Sequence, residues 1–292
     1  MRHQLHRLPG ISVSVFYLCL AGSALLAAER VWKDASGQNE VRAELVSHKG
    51  GNVLLRRADG IVITVPLGSL SKEDQEFVVG APPPGEVDVL VGELEEIVLQ
   101  IPKPMFISAP VVDLGLPNME KFDASKRIKS FMALKGTVNV ARGKKVTASD
   151  AAPIIGTLDL VTDDDADGAD GSFVELAPGK QWLQIDLEAA HTLQKIVVWH
   201  YHRQVRAYLD VVIQVSNDPQ FKEGVTTLWN SDHDDTSGFG KGKDPTYVET
   251  NHGRIIEGKG AKARYVRLWS NGNTSDDMNH YCEVEVFAVP VK

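Results

Sequence analysis

Between Thr162 and Ser172 the chain reads Thr-Asp-Asp-Asp-Ala-Asp-Gly-Ala-Asp-Gly-Ser, with five carboxylates inside eight residues. Carboxylates this close repel one another unless a hard cation or water offsets the charge, and oxygen-rich loops of this kind are calcium chemistry. Asp163, Asp165, Asp167 and Gly168 match positions one, three, five and six of an EF-hand calcium loop. The match then stops: position twelve is Val174, Glu175 comes one residue late, and no helical period flanks the run. A solvated acidic loop is the competing reading.

A second cluster is Trp199-His200-Tyr201-His202-Arg203-Gln204-Val205-Arg206. On a strand, His200 and His202 face one way and Trp199 and Tyr201 the other, so the two imidazoles can share a transition metal if His233, His252 or His280 supplies a third ligand. The reading we favour is a polar and aromatic rim. Arg203 and Arg206 offer forked donors, and Tyr201 and His202 offer flat faces for a sugar ring or a peptide. His233 lies just before a long Gly-Lys loop, Ser237 to Lys243, of the kind that serves recognition. Asn271 and Asn273 supply neutral hydrogen-bonding groups, or simply turn chemistry. The candidate ligand-binding set is therefore Tyr201, His202, Arg203, Arg206, His233, Asn271 and Asn273.

Signals for catalysis are sparse. The chain has no Gly-x-Ser-x-Gly elbow, no His-Glu-x-x-His pair and no nucleotide-binding fingerprint, and Gly238-Phe239-Gly240-Lys241-Gly242 lacks the Walker spacing. No catalytic residue is assigned and a non-enzyme is expected. A metal-dependent hydrolase centred on His200 and His202 is the enzymatic alternative.

The elements that must position these groups are strands. Period-two runs at 181–187, 193–199, 209–215, 264–269 and 281–287 are rich in Val, Ile and aromatics and bounded by Gly, Asn or Asp, which argues for an antiparallel all-β domain. Nearer the N-terminus, strands are expected at 41–46, 52–56 and 61–66, with a turn at Asp59-Gly60 and a short helix opened by Ser71. Pro82-Pro83-Pro84 marks a stiff linker. Beyond it, residues 86–134 are either a pair of strands packed on the C-terminal domain or an arm that spaces the two domains.

The 292 residues, 43% hydrophobic, suffice for one sizeable core and a smaller one. Arg2 and Arg7, an apolar run from Ile11 to Leu26 and then Ala27-Ala28 have the layout of a signal peptide, with an uncleaved anchor as the competing reading. Removing that segment, which holds no acid, moves the net charge from −8 to −10, a balance poorly suited to nucleic acid. Cys19 leaves with it, and Cys282 stands alone in an alternating strand as a buried, inert thiol.

Three blocks in the C-terminal half resemble a known family: Asn139-Val140-Ala141-Arg142-Gly143-Lys144-Lys145-Val146-Thr147-Ala148-Ser149, then Trp182-Leu183-Gln184-Ile185-Asp186-Leu187, then Tyr265-Val266-Arg267-Leu268 followed by Glu283-Val284-Glu285-Val286-Phe287. They resemble the discoidin, or coagulation-factor type C, domain with a galactose-binding-like jelly roll. The resemblance spans about Asn139 to Pro290, roughly half of the chain. It implies one calcium held by Asp163, Asp165, Ser172 and Glu283 with backbone carbonyls, bracing the loop rather than catalysing. The pattern Arg30-Val31-Trp32-Lys33-Asp34, Ala58-Asp59-Gly60, Val65-Pro66-Leu67, Leu70-Ser71 and Asp74 resembles the Sla homology domain. That resemblance implies a small barrel and adaptor-type protein contacts.

The expected organisation is a signal peptide at 1–28, a small barrel at 30–78, a connecting segment at 79–138 and a discoidin-type β-sandwich jelly roll at 139–290, all-β overall. The expected function is an exported, non-catalytic binding protein. Its discoidin module recognises a glycan or cell-surface component and its barrel contacts a protein, with no nucleic-acid partner and no membrane span after signal cleavage. Structural assembly of an envelope or matrix is the alternative.

Overall fold

The computed structural model describes residues 15–18, 29–57, 62–80, 89–90, 94–104, 114–121, 127 and 129–290. The chain divides into two units, Met1–Leu94 and Glu95–Lys292.

In the first unit the strands are β1 (Val15–Leu18), β2 (Arg30–Lys33), β3 (Glu40–Lys49), β4 (Asn52–Arg57), β5 (Val62–Pro66) and β6 (Val89–Leu90), in the order β2-β3-β4-β5-β1-β6. Residues of β2 to β5, with Leu70 just before the helix α1 (Lys72–Gly80) and Val78 within it, bury Trp32, Ala43, Val53, Leu55, Val65, Leu70 and Val78 in one small core. Ser71 opens α1 as expected: its hydroxyl accepts the Asp74 N–H at 3.2 Å and donates to the Asp74 carboxylate at 2.8 Å. Asp74 also accepts from Arg30 and from the Lys33 backbone, each at 2.8 Å, and so ties the helix to β2. The barrel expected here is an open sheet among the described residues. Its end strands, of four and two residues, are too short to tilt around and pair with each other. The Asp59-Gly60 turn lies outside the described residues, as does the leader 1–28 apart from Val15–Leu18.

The second unit holds a sandwich of β9 (Val138–Asn139), β10 (Lys145–Ala148), β11 (Val174–Leu176), β12 (Lys180–His200), β13 (Val212–Ser216), β14 (Thr226–Asn230), β15 (Arg254–Glu257), β16 (Lys262–Asn271) and β17 (Asn279–Val289), preceded by β7 (Leu94–Val98) and β8 (Ser130–Leu134). The two strands expected at 181–187 and 193–199 are one strand of 21 residues, β12. Its register breaks between Asp186 and His191, where Glu188 takes a left-handed φ of 67°. The first half of β12 pairs with β10 and β16, and β13 and β14 continue that sheet; the second half pairs with β15 and β17, and β17 with β9 and β11. One strand thus serves both layers. Between them lie Leu183, Ile185, Ile196, Val198, Ile213, Val266, Leu268, Val284 and Val286, all essentially inaccessible.

A second core explains the unbroken apolar run Ile196-Val197-Val198-Trp199. Val197, Trp199, Cys282 and Phe287 turn away from the inter-sheet core and pack against Leu99, with Ile97, Ile101 and Phe131 beside them. β7 and β8 pair with each other, so the stretch before the sandwich supplies a two-stranded cover. A strand buried on both faces reads as continuous hydrophobicity rather than alternation.

Candidate functional site

The loops at one end of the sandwich gather most of the residues singled out above, in two clusters.

The acidic loop follows a short 3-10 turn, Leu158–Thr162, and is organised by its own carboxylates. The Asp163 carboxylate accepts the Asp165 N–H at 2.9 Å, and Asp165 accepts the Asp167 N–H at 3.0 Å and the Ser172 hydroxyl at 2.8 Å. Two residues expected to bind ligand instead hold this loop from outside. The nearly buried His202 meets the Ala166 carbonyl through Nε2 at 2.8 Å, and Arg203 ion-pairs with Asp167 while donating to its carbonyl. From within, Glu283 of β17 accepts the Asp164 N–H at 3.2 Å across 119 residues. Arg142 pairs with Asp164 at 2.7 Å and Asn139 donates to it at 3.2 Å.

Glu283 is 1% exposed and its Oε1 has no hydrogen-bond partner. Burial, together with the charges of Glu285, Asp163 and Asp164, pushes its carboxyl up to about 10. Burial and Asp164 push Glu285 to about 7, and burial raises Asp163 as well. This is a cluster short of positive charge, with an orphaned buried oxygen aligned with the chemistry of a hard cation. The structure brings Asp163 and its neighbour Asp164 to Glu283, and pairs Asp165 with Ser172. Among the described residues the three carboxylates that converge within 4.8 Å of one another are a different group, Asp210, Asp232 and Asp234.

The second cluster surrounds Tyr201. Its ring lies 5.0 Å from Phe173 and 5.7 Å from His280, and the Arg206 guanidinium stands 4.7 Å over it. Arg206 is held by Asp276 at 3.2 Å and Gln204 at 2.8 Å. His280 spans the Tyr208 hydroxyl at 3.0 Å and the Glu175 carboxylate at 2.9 Å. Burial, aided by Arg206 and opposed by the carboxylates of Asp276 and Glu175, lowers the pKa of His280, while burial raises that of Tyr208 well above a phenol's usual value. A neutral His280 then donates from Nε2 to Glu175 and accepts at Nδ1 from Tyr208.

Of the expected ligand set, Tyr201 and Arg206 meet here. Asn273 reaches the cluster through Asp276, to which it donates, and its amide also closes its own turn on the Met278 carbonyl. His233 bonds the Asp244 carbonyl at 2.9 Å within its own loop, and Asn271 donates to Asp210 at 2.9 Å, tying the end of β16 to the loop before β13. His200 and His202 part company. The fully buried His200 bonds Glu249 at 2.7 Å and stacks on Tyr208 at 4.3 Å, away from the Ala166 carbonyl that His202 holds. Phe173, Glu175 and Asp276 were not read from sequence as site residues, since nothing local distinguishes them from core and loop residues. The result is a flat ring beneath a guanidinium, with Asp276 bonded to that guanidinium and Glu175 to the neighbouring His280.

Among known protein families, residues 23–81 match SLA1 homology domain 1 and residues 161–268 match the NedA-like, galactose-binding domain. No curated protein matches the chain. Among solved structures, the CBM32 of AlyQ in complex with 4,5-unsaturated mannuronic acid is 20% identical, with a TM-score of 0.37 over 49% of this chain and 93% of that one. Chitosan-binding module 1 from a chitosanase/glucanase of Paenibacillus sp. IK-5 is 22% identical, with a TM-score of 0.35 over 51% of this chain and 98% of that one. The lectin domain of lectinolysin complexed with Lewis B antigen is 17% identical, with a TM-score of 0.37 over 52% of this chain and 96% of that one. The protein thus carries an SLA1 homology domain 1 followed by a NedA-like, galactose-binding domain of jelly-roll fold.

Proposed function

We propose that this chain is an exported, non-catalytic binding protein whose galactose-binding-like domain holds a glycan on the Tyr201 cluster. The observation that supports this most is the Tyr201 ring, half-buried beneath Arg206, with Asp276 on that guanidinium and Glu175 on the neighbouring His280. The ring covers the apolar side of a sugar, the Asp276 carboxylate, 40% exposed, accepts from its hydroxyls, and the buried Arg206 braces the ring. On a glycan array the full chain should bind a defined class of sugar, and Tyr201→Ala should weaken that binding by roughly tenfold, the loss of about 1.4 kcal/mol. A blank array with folded protein would sink the reading.

Calcium in this proposal braces the acidic loop, held by Asp163, Asp165, Ser172 and Glu283, with Asp164 close by. At a hundredfold excess over its dissociation constant an ion bound only to the native state adds about 2.7 kcal/mol of stability. Chelator should therefore lower the melting temperature of the C-terminal unit, and Glu283→Gln should abolish that response. An unchanged melting curve in chelator would remove calcium from the account.

The N-terminal unit supplies the protein contact. Its Phe77 is 42% exposed, with the Arg30 guanidinium 4.0 Å from the ring and Trp32 at 5.7 Å, and Val79 beyond it is 72% exposed. Exposed aromatic and Arg groups side by side are the composition of interface anchors. Export rests on the apolar run Ile11 to Leu26 behind Arg2 and Arg7. No helix among the described residues is long and apolar enough to cross a membrane.

A further inference from the structure

The sheet formed by the first half of β12 with β16 and β13 turns an unusual face outward. Its inward residues, Leu183, Ile185, Val266, Leu268, Ile213 and Val215, belong to the inter-sheet core, so alternation sends Trp182, Trp269 and Arg267 to the other side. Such a face is ordinarily polar and solvated. Here Trp182 and Trp269 are direct cross-strand partners, both half-buried, with ring centroids 6.3 Å apart. Loops bring two further rings to them. Phe239 lies 4.8 Å from Trp269, and Phe221 lies 4.1 Å from the Arg267 guanidinium. Phe221 does so from a left-handed φ of 55°, a conformation a bulky side chain rarely adopts, and one found where binding surfaces hold strain.

Two cations stand among these rings. Arg267 is 4.4 Å from the Trp182 ring; it donates to the Gln184 side chain and the Pro219 carbonyl. Lys180 lies 5.5 Å from Phe239 and 5.6 Å from Trp269; it donates to the Ser237 carbonyl. Among the described residues neither forms an ion pair, although the chain as a whole carries a net charge of −8. Burial lowers the Arg267 pKa despite the pull of Asp218, the mark of a cation without an adequate counter-charge. Asp218, the acid whose charge acts on Arg267, is already committed to the N–H groups of Gln220, Lys222 and Glu223, and Asp232, which bonds the Ser237 N–H, also takes those of Asp235 and Thr236.

We infer that this face is a second ligand site, separate from the Tyr201 cluster, that takes an acidic sugar of a polysaccharide, its ring face on Trp182 and Trp269 and its carboxylate or sulfate at the exposed Lys180, within the field of the buried Arg267. Aromatic rings supply apolar contact, and the two cations gain the counter-charge that the chain itself withholds. Uronic acids and sulfated sugars share this chemistry.

The test is affinity electrophoresis of the full chain in gels containing polygalacturonate, heparin, unsubstituted galactan or poly-glutamate. Retardation is expected in at least one of the acidic polysaccharide gels, declining with added salt. Trp269→Ala and Lys180→Gln should each weaken it about fivefold or more, while Tyr201→Ala leaves it intact. Lys180 is exposed, so its substitution reads binding even if Trp269→Ala does not fold. No retardation in either acidic polysaccharide, retardation less affected than that by Lys180→Gln, or equal retardation in poly-glutamate would each overturn the inference. Galactan retardation lost in Tyr201→Ala alone reports on the loop-end site and leaves this one to be judged by its own gels.

Discussion

An Asp74→Ala chain should keep a folded C-terminal unit and lose the N-terminal one. Asp74 is 2% exposed and takes bonds from the Arg30 guanidinium, the Lys33 N–H and the Ser71 hydroxyl, each at 2.8 Å. Arg30 is a quarter exposed and can turn to water, so the cost lies in the three bonds that converge on the buried carboxylate, about 4 kcal/mol in all at roughly 1.5 kcal/mol for each bond to a charged group. A unit of this size has a core of only a few side chains, and its total stability is of the same order. Hydrogen exchange on the full chain would show the outcome: fast exchange across β2 to β5 with protection retained in β12 and β16. Native-like protection in β3 and β4 would mean that Asp74 is dispensable.

Trp199→Ala should produce the matching result in the other unit, a loss of about 3–5 kcal/mol and a melting temperature lower by on the order of 10 °C. The indole is 1% exposed, donates to the Asn251 carbonyl at 3.1 Å, and joins the back of the sandwich to Leu99 and its neighbours. Gly253 is the other side of this contact. A Cβ there would sit 2.8 Å from the ring, at a φ of +65°. Gly253→Ala should therefore destabilise the same unit by overpacking and strain. Thermal melts of both variants check this, and a shift of under about 2 °C for Trp199→Ala would show that the cover contributes little.

Both predictions turn on contacts that no local pattern announces. Period two was readable along β16 and β17 because alternation is a property of neighbouring residues, and Ser71 was readable as a helix start for the same reason. The order of three sequence blocks carried the resemblance to the galactose-binding-like fold, which the family match over residues 161–268 supports. The continuity of β12 was not readable, because a bend at Glu188 and a turn between two strands look alike in residue types.

The candidate site divides in the same way. The sequence by itself determined which groups are available: a carboxylate-rich loop, an aromatic and basic rim, and strands to carry them. Only the tertiary structure decided their employment. Glu283 meets Asp164 across 119 residues, and Arg206 meets Asp276 across 70. His202 and Arg203, which follow Tyr201 in the chain, lie against the acidic loop 36 residues away, where His202 meets the Ala166 carbonyl and Arg203 meets Asp167. Residue type sets what a side chain can bond. The pairing of distant strands sets which partner is within reach, and burial sets how much an unmet bond costs.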